Sequence, residues 1–393
     1  MKFNSILIVS SCSEPWGGSE ELWNNLAYLL KSKKHNVSLY KDIIDHRHVK
    51  IQALKDNDVA IFSILNSLNF IYKLIYKILI KLRVPFVERY KIHFLVNKIF
   101  RTKGLINLLK KHQFDKVIIS QGINYDGLDY AWACNQLGVE YYTISQKVIE
   151  TSFIQGEEAI KKAKTSLLEA KHNFFVSKHN QTITEEQIAS KIENATVVYN
   201  PNKFQNLKDF PETNYHTETF TFLCIGRYYL SEKGQDILLR ILAEEKWKQR
   251  PLKVKLIGSG IDQQILQNRI DYYQLKNVEI SKFKLDLEKE WKNAHGLILS
   301  SRHEGMPLVM LEAMSLGKVC IMGDAGGANE VIEDSYNGFI GAPTTIDFDK
   351  TLERAWQMKS KWAVIAQNAK STMLDIERKE YPSEEKLLNI LLN

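Results

Sequence analysis

The chain has 393 residues, 44% of them hydrophobic and 25% charged, which is ordinary globular composition with enough apolar material for two cores. No run is long and apolar enough for a membrane-spanning helix, and the apolar part of the N-terminus is too short for a signal peptide. The four cysteines are scattered without metal-ligand spacing or a disulfide framework, which favours a reducing cytosol.

The formal net charge of +7 is concentrated in one part of the chain. Residues 1–200 hold 27 Lys and Arg against 19 Asp and Glu, and residues 69–103 alone hold nine basic residues and one acid. This distribution indicates one basic surface rather than a generally basic protein.

The first predicted elements are a buried strand over Ser5–Ser10, a loop, a helix with leucines at helical spacing from Leu22, and a second strand over Val37–Tyr40. The loop contains Gly17 and Gly18, which would allow a ligand to approach the backbone at the carboxyl end of the strand. Because the pattern is not G-x-G-x-x-G, a simple turn is the alternative interpretation.

Residues 69–83 predict a basic amphipathic helix that Pro85 ends. Lys73, Lys77 and Lys81 recur every four residues and therefore share one face. The apolar side consists of Phe70, Leu74, Ile78 and Leu82, with Ile71, Ile75 and Ile80 beside them. Such a helix can lie on an anionic membrane surface, or it can be a core helix with a solvated basic face. A nucleic-acid site is disfavoured, because the basic residues are interleaved with aliphatic rather than exposed aromatic residues.

Further strands are predicted over Lys116–Ser120, Gly138–Gln146, Phe174–Ser177 and Ala195–Tyr199. Gln121 follows the first of them, at the end where open parallel sheets contact their ligands. Residues 202–217 are polar and lack periodicity, which predicts a domain boundary there.

The second half repeats the alternation of strands and helices. Its strands are predicted over Thr221–Ile225, Leu252–Ile257, Val278–Ser281, Leu297–Ser300 and Lys318–Met322. Strands alternating with helices imply a doubly wound parallel sheet. The predicted fold is therefore α/β, with two Rossmann-like domains facing across a cleft.

The stretch from Ser300 to Gly317 joins a strand to a helix through a loop that contains Glu304 and Gly305. Pro307 suits the first turn of the helix, and Glu312 lies on it. The free N–H groups at the helix start, together with the helix dipole, form an anion site flanked by the two carboxylates. The alternative is a capped helix with two surface acids.

Arg227 and Lys233 follow the first strand of the second half. An arginine fork and a mobile lysine charge could together bind a diphosphate. Isolated cations on a loop are, however, more often solvated surface residues.

Five segments occur in a fixed order: Gly226-Arg-…-Glu-Lys-Gly234, Leu256-Ile-Gly-Ser-Gly260, Glu304-Gly-Met-Pro-…-Leu-Glu-Ala-Met314, Gly326-Gly-Ala-Asn-Glu-Val331 and Asn337-Gly338. Together they resemble the family 4 retaining glycosyltransferases of the GT-B architecture, most clearly over residues 220–340. The resemblance implies an acceptor-binding domain at 1–203, a nucleotide-sugar-binding domain at 204–375, and a helix at 376–393 that crosses back onto the first domain.

The resemblance also implies site residues. Glu304 would contact the donor sugar, while Arg227 and Lys233 would neutralise the diphosphate as it leaves. Donor contacts are implied for Gly18, Gly258, Gly305, Met306, Pro307, Leu308 and Glu312, the last of which would hold the ribose. Gly17 and Gln121 are candidate acceptor or sugar contacts. Gln121 stands where the family often has a histidine, and its amide can donate a hydrogen bond but cannot act as a base.

The resulting hypothesis is a cytoplasmic retaining glycosyltransferase on the inner membrane surface, without a metal or another cofactor. It would move a hexose-type sugar from a nucleoside-diphosphate sugar to a cell-envelope glycan or a lipid-linked acceptor. UDP is expected from its frequency in the family, and no nucleic-acid partner is expected. The alternatives are a nucleotide-sugar epimerase or phosphorylase on the same plan, or a non-catalytic subunit that binds the sugar nucleotide.

Overall fold

The computed structural model describes residues 4–12, 14, 16–81, 100–204, 210–284, 286–380 and 382–392. The chain forms two compact units. Unit 1 comprises Met1–Tyr199 with Pro382–Asn393, and unit 2 comprises Asn200–Tyr381.

Unit 1 is built on a parallel sheet of seven strands. These are β1 (Ser5–Ser10), β2 (Asn36–Lys41), β3 (Ala60–Ser63), β4 (Lys116–Gln121), β5 (Tyr141–Ser145), β6 (His172–Phe175) and β7 (Ala195–Val197). Their order is β3-β2-β1-β4-β5-β6-β7, so the chain winds outward in both directions from β1. The central strand buries Ile6 to Val9 completely, which explains its unbroken apolar run.

Helices connect these strands, as parallel pairing requires. They are α1 (Glu21–Ser32), α2 (Val49–Asp56), α3 (Ile64–Ser67), α4 (Phe70–Lys81), α5 (100–111 as described), α6 (Leu128–Gln136), α7 (Glu157–Leu168) and α8 (Lys178–Gln187). The α1 helix buries Leu22, Leu26 and Leu30, the leucine face expected from its spacing.

Unit 2 contains a second parallel sheet. Its strands are β8 (Phe220–Ile225), β9 (Leu252–Gly258), β10 (Val278–Lys282), β11 (Gly296–Leu299), β12 (Val319–Gly323) and β13 (Phe339–Gly341). The order β10-β9-β8-β11-β12-β13 repeats the winding of unit 1. The predicted α/β class with two parallel doubly wound sheets is therefore confirmed.

The unit 2 helices are α9 (Leu230–Lys233), α10 (Gln235–Leu242), α11 (Glu245–Lys248), α12 (Gln263–Tyr273), α13 (Glu288–Lys292), α14 (Leu308–Ser315), α15 (Ala328–Val331), α16 (Thr345–Gln357) and α17 (Trp362–Glu380). Trp362, the first residue of α17, packs this helix against the sheet and bonds it to α16. Trp362 lies edge-on to Phe222, with ring centroids 5.3 Å apart, and its Nε1 donates to the Ala355 carbonyl at 2.9 Å.

The last helix, α18 (Ser383–Leu392), packs within unit 1. It buries Leu387 and Leu391, contacts α1, and its Lys386 donates to the Val197 carbonyl at 3.0 Å. The units divide at 199/200 and 381/382 rather than at 203/204 and 375/376. The second difference has a simple cause, because α17 runs without a break to Glu380 and Pro382 interrupts the helical chain.

Two short strands, β3 and β13, were not predicted, because four and three residues are too few to show a period. The basic segment at 69–103 is described only in part. Pro85, Arg89, Lys91 and Lys98 and the side chain of Lys81 lie outside the described residues.

Candidate active site

The carboxyl ends of β8 and β9 approach each other closely at two glycines. A Cβ on Gly258 would lie 1.9 Å from the Gly226 carbonyl oxygen, so only glycine fits there. Tyr228 links the neighbouring strands, since its single hydroxyl hydrogen is shared between the Ser281 carbonyl at 2.6 Å and the Leu256 carbonyl at 3.0 Å. This edge of the sheet is therefore a fixed backbone platform.

Arg227 leaves this platform beside the short helix α9. Its Nη2 donates to Glu232 Oε2 at 3.0 Å, and its carbonyl accepts from Gln235 Nε2 at 2.8 Å. The guanidinium remains partly exposed, so it can reach a ligand at the edge of the sheet.

Lys233 and Glu304 form a close ion pair, with Nζ 2.6 Å from Oε1. Their side chains are only 18% and 10% exposed. The contact depends on Gly234, which has φ +61° and whose missing Cβ would lie 2.0 Å from the Ser300 carbonyl oxygen. The structure therefore brings these two predicted catalytic residues together across more than seventy positions of sequence.

The loop that carries Glu304 is held against α9 and α10. Arg302 makes a bidentate ion pair with Asp236, at 2.8 and 2.9 Å, which lowers the pKa of that carboxyl group even though desolvation opposes the shift. The N–H groups of Arg302 and His303 both donate to the Glu232 carbonyl. Ser300 Oγ donates to the Gly234 carbonyl at 2.7 Å. The position of Glu304 is thus set by its neighbours before any ligand binds.

The segment after Glu304 leads into α14. Pro307 is the residue before this helix rather than in its first turn, with φ −65° and ψ 112°. Asn200 Nδ2 donates to the Met306 carbonyl at 3.0 Å, and Gly327 N–H donates to the Gly305 carbonyl at 2.6 Å. The backbone from Gly305 to the start of α14 is therefore fixed, and the first N–H groups of the helix have no carbonyl one turn earlier.

Glu312 lies four residues into α14 and is buried. It follows Glu304 along one loop and one helix start, as the spacing predicted. A buried carboxylate beside a helix N-terminus can accept hydrogen bonds from ligand hydroxyls while the helix N–H groups bind an anion.

Comparison with known proteins identifies the family of the domain that carries these residues. Residues 205–372 match the family model described as glycosyl transferases group 1. An uncharacterized glycosyltransferase of Methanocaldococcus jannaschii is 26% identical over 253 residues, which are 61% of this chain and 67% of that protein. Residues 205–372 therefore form a glycosyltransferase group 1 domain, and the chain as a whole has the GT-B fold.

Two further proteins resemble this chain. The lipopolysaccharide 1,6-galactosyltransferase of Escherichia coli is 30% identical over 142 residues, 33% of this chain and 37% of that enzyme. The chain thus spans little more than a third of that relative. The crystal structure of Anabaena Alr3699/HepE with UDP and glucose has a TM-score of 0.73 and 16% identity, covering 99% of this chain and all of the other. That likeness concerns the fold.

In unit 1, Gly17 and Gly18 begin a single helical turn before α1. Gly17 is extended and has room for a side chain, because a Cβ would meet nothing closer than 3.9 Å. Beneath this turn Lys41 pairs with Glu20 at 3.2 Å, both completely or almost completely buried. Lys41 also donates to the Cys12 carbonyl at 2.9 Å, and Ser10 Oγ donates to Glu20 at 2.8 Å. The glycine turn is therefore anchored to β1 and β2.

Gln121 ends β4 and is buried. Its Oε1 accepts from Ser145 Oγ at 2.8 Å. Gln146 follows the neighbouring strand β5 and is also buried. Within the described ranges, Gln121 Nε2 and both amide atoms of Gln146 have no hydrogen-bond partner. Buried amides are costly to leave unpaired, so these two side chains are candidate ligand contacts.

Two carboxyl groups lie behind this edge of unit 1. Burial raises the pKa of Asp42 to about 6, although hydrogen bonding by Tyr130 and the nearby Arg101 lower it. Burial likewise raises the pKa of Asp126 to about 6 against the hydrogen bonds from Ser11 at 2.6 Å and from Ile123 N–H at 3.0 Å. Each carboxylate accepts hydrogen bonds from its own neighbours, so both support the shape of the edge.

Among the described residues, no three or more His, Cys, Asp or Glu side chains gather as a metal site. No helix in the described part of the chain has the length and apolarity needed to cross a membrane. The four cysteines are free.

Sequence reasoning missed several residues that shape the site. Glu232 and Asp236 were not assigned a role, although each pairs with an arginine. Their partners lie far away in sequence or across a loop, so spacing alone gave no signal. Gln146 follows β5 as Gln121 ends β4, but only its burial without a hydrogen-bond partner distinguishes it from other polar residues after strands. The roles of Gly17, Gly18, Gly258 and Gln121 in ligand binding stay predictions.

Proposed function

We propose that the protein is a retaining glycosyltransferase of the family 4 type. It transfers a hexose-type sugar from a UDP-sugar to a cell-envelope glycan or a lipid-linked acceptor. The observation that carries this proposal is the meeting of Arg227, Lys233 and Glu304 at one edge of the unit 2 sheet, beside the helix that bears Glu312.

The donor diphosphate is bound by the two cations. Arg227 presents a planar fork and Lys233 a point charge; Arg227 follows β8, and Lys233 is the last residue of the short helix α9. Glu304 receives a sugar hydroxyl, and Glu312 receives the ribose hydroxyls. The N–H groups of Gly305, Met306 and Leu308 take the remaining phosphate and sugar oxygens. Anabaena HepE, which has a similar fold, was crystallised with UDP and glucose, and this supports a uridine donor.

The chemistry requires stabilisation of a leaving group. As the bond between the anomeric carbon and the phosphate oxygen breaks, negative charge grows on the diphosphate and positive charge on the sugar. Arg227, Lys233 and the start of α14 stabilise the diphosphate, which is electrostatic catalysis by pre-arranged groups. Because these groups supply the positive charge, the reaction is proposed to need no metal ion.

Retention of configuration follows from attack on the same face of the sugar. The acceptor oxygen forms its bond to the anomeric carbon while the departing phosphate oxygen takes the acceptor proton. This route needs no dedicated base. It suits a site in which Glu304 is already paired with Lys233.

The acceptor is proposed to be an envelope glycan or a lipid-linked glycan, with the enzyme at the inner face of the membrane. The match to a lipopolysaccharide galactosyltransferase supports an acceptor of this class. The cluster of nine basic residues within 69–103 supports a surface that attracts anionic lipid.

Donor hydrolysis in the absence of acceptor tests the activity. We expect the purified protein to release UDP slowly from one UDP-hexose of a panel, and Glu304→Gln to lower the rate by about 10²-fold or more. Glu353→Gln is the matched control, because Glu353 also pairs with a partly buried cation, Arg250, at 2.8 Å, but outside the site. Equal rates of UDP release for the two variants would show that Glu304 takes no part in catalysis.

Donor choice and stereochemistry have separate tests. Binding of the correct nucleotide raises the melting temperature, so a panel of nucleoside diphosphates identifies the base. Nuclear magnetic resonance of the product determines its anomeric configuration, and an inverted product would contradict retention. A rate that falls on chelation of divalent ions would contradict metal independence.

A further inference from the structure

The outward face of α4 is apolar, and this face is defined here as Phe70, Ile71, Leu74, Ile75 and Ile78. Each of the five side chains is between 39% and 82% exposed. Every other helix in the described part of the chain carries at most two large apolar residues this exposed. The face is therefore unusual for a surface helix, which normally turns its apolar stripe inward.

The inward side of α4 is occupied by tyrosines instead. Tyr72 and Tyr76 meet Phe100 edge-on, with ring centroids 6.1 and 5.7 Å apart. Lys103 Nζ lies 4.4 Å from the centre of the Tyr72 ring. Both tyrosines pack against the unit 1 core. The interpretation of α4 as a core helix with a solvated basic face is therefore wrong for its described residues, because the aliphatic side chains point away from the core.

Lys73 and Lys77 lie along the border of the apolar face. At about 100° per residue they fall between the inward tyrosines and the outward row of Phe70, Leu74 and Ile78. Lysines in this position can extend their ammonium groups toward phosphates while the apolar row enters the acyl region.

We propose that the outward face of α4 inserts into the interface of an anionic bilayer, with Lys73 and Lys77 at the level of the lipid phosphates. This deepens the proposed function by naming the element that holds the enzyme at the membrane, and it rests on that function for its biological purpose. The charge argues for this occupant, since α4 carries Lys73 and Lys77 beside its apolar face and no acidic residue, which matches a negative lipid surface.

Vesicle co-sedimentation tests the proposal with the whole protein. We expect binding to vesicles of phosphatidylcholine with phosphatidylglycerol, and much weaker binding to phosphatidylcholine alone. The double variant Ile71→Gln/Leu74→Gln should lower the partition coefficient by about tenfold or more, because two apolar side chains no longer leave water. Gln is a good helix former, so α4 is retained.

The matched control is Ile346→Gln/Val364→Gln, which changes two exposed apolar residues on unit 2 helices. It should bind like the unchanged protein. Equal binding by both double variants would overturn the proposal, as would binding that salt abolishes but the α4 variant does not alter. A concentration-dependent dimer that only the α4 variant disrupts would assign the face to a second copy of the chain and would also overturn it.

UDP release without vesicles separates this inference from the proposed function. All variants should keep the rate of the unchanged protein, because α4 takes no part in donor chemistry. Absence of release from every protein would count against the glycosyl-transfer site, whatever the vesicles show. Normal release together with no vesicle binding would count against the α4 surface alone.

Discussion

The carboxyl edges of the two sheets are both held in place by buried contacts, but the contacts differ in kind. In unit 2 the edge is made by backbone contacts that only glycine permits, with partly exposed charged pairs above them. In unit 1 Gly17 has room for a side chain, and the edge carries buried neutral amides and a fully buried ion pair. The first arrangement constrains sequence at fixed positions, whereas the second leaves many sequences able to build it.

The largest expected difference between the two edges concerns their lysines. Lys41→Met leaves Glu20 charged and without its ion-pair partner in the interior, so the free energy of unfolding should fall by about 3–5 kcal/mol. Lys233→Met leaves Glu304 unpaired at a site that is 10% exposed rather than fully buried, and should cost less, about 1–3 kcal/mol. Urea denaturation measures both.

The control for this comparison is Glu20→Gln/Lys41→Met, which removes both charges and should recover part of the lost stability. The kinetic effects should be reversed in rank, with Lys233→Met lowering UDP release by about 10²-fold. If Lys41→Met were no more destabilising than Lys233→Met, the buried pair would not anchor the glycine turn.

The glycines give the next largest difference. Gly258→Ala forces a Cβ to within 1.9 Å of a carbonyl oxygen, so the strand ends must separate, and we expect a loss of about 2–4 kcal/mol. Gly17→Ala adds a methyl group where the nearest atom is 3.9 Å away and the backbone is extended, so its effect should stay within about 0.5 kcal/mol.

Thermal unfolding of the two glycine variants distinguishes fold from function. Should Gly17→Ala raise the KM for the donor without changing the melting temperature, the glycine is needed for ligand approach. An unchanged KM would mean that Gly17 serves only to form the backbone turn. Gly258→Ala with normal stability would mean that β8 and β9 can separate at little cost.

The same contrast explains what the sequence could predict. The unit 2 segments around Gly234, Gly258 and Glu304 are motifs because each close backbone contact tolerates one residue type, so the class of enzyme was visible from them. The parallel sheets were visible because their buried strands are continuous apolar runs.

The remaining features depend on tertiary contacts that local patterns do not record. The orientation of α4 could not be predicted, since its tyrosines and its aliphatic residues are both plausible core faces until Phe100 selects the tyrosines. The pairing of Arg302 with Asp236 joins residues 66 positions apart. Gln146 resembles any polar residue after a strand, and only its burial without a partner marks it.

The last predicted effect is a pH dependence that unit 1 adds to the stability of the protein. Burial raises the folded-state pKa of Asp42 to about 6, above the ordinary value of 3.8. Between pH 4 and pH 6 the folded state therefore binds more protons at this carboxyl group than the unfolded state does. Stability from this group is present below its unfolded pKa and is lost as the pH rises through about 6, by up to about 3 kcal/mol in total.

Asp42→Asn removes this titration but keeps an oxygen that can accept from the Tyr130 hydroxyl. The variant should gain stability relative to the unchanged protein from pH 4 to pH 6 and then hold a constant difference, as urea denaturation at successive pH values would measure. Asp126, whose pKa is also raised to about 6, remains in the variant and accounts for the pH dependence of stability that persists.

Asp375→Asn is the control, because Asp375 is exposed and its replacement should leave the pH dependence of stability unchanged. Parallel curves for Asp42→Asn and the unchanged protein would mean that Asp42 is ionised in the fold at pH 4. Unit 1 would then hold a buried charge at Asp42 in addition to the Lys41–Glu20 pair. Its edge would differ from that of unit 2 only in how deeply the charges are buried.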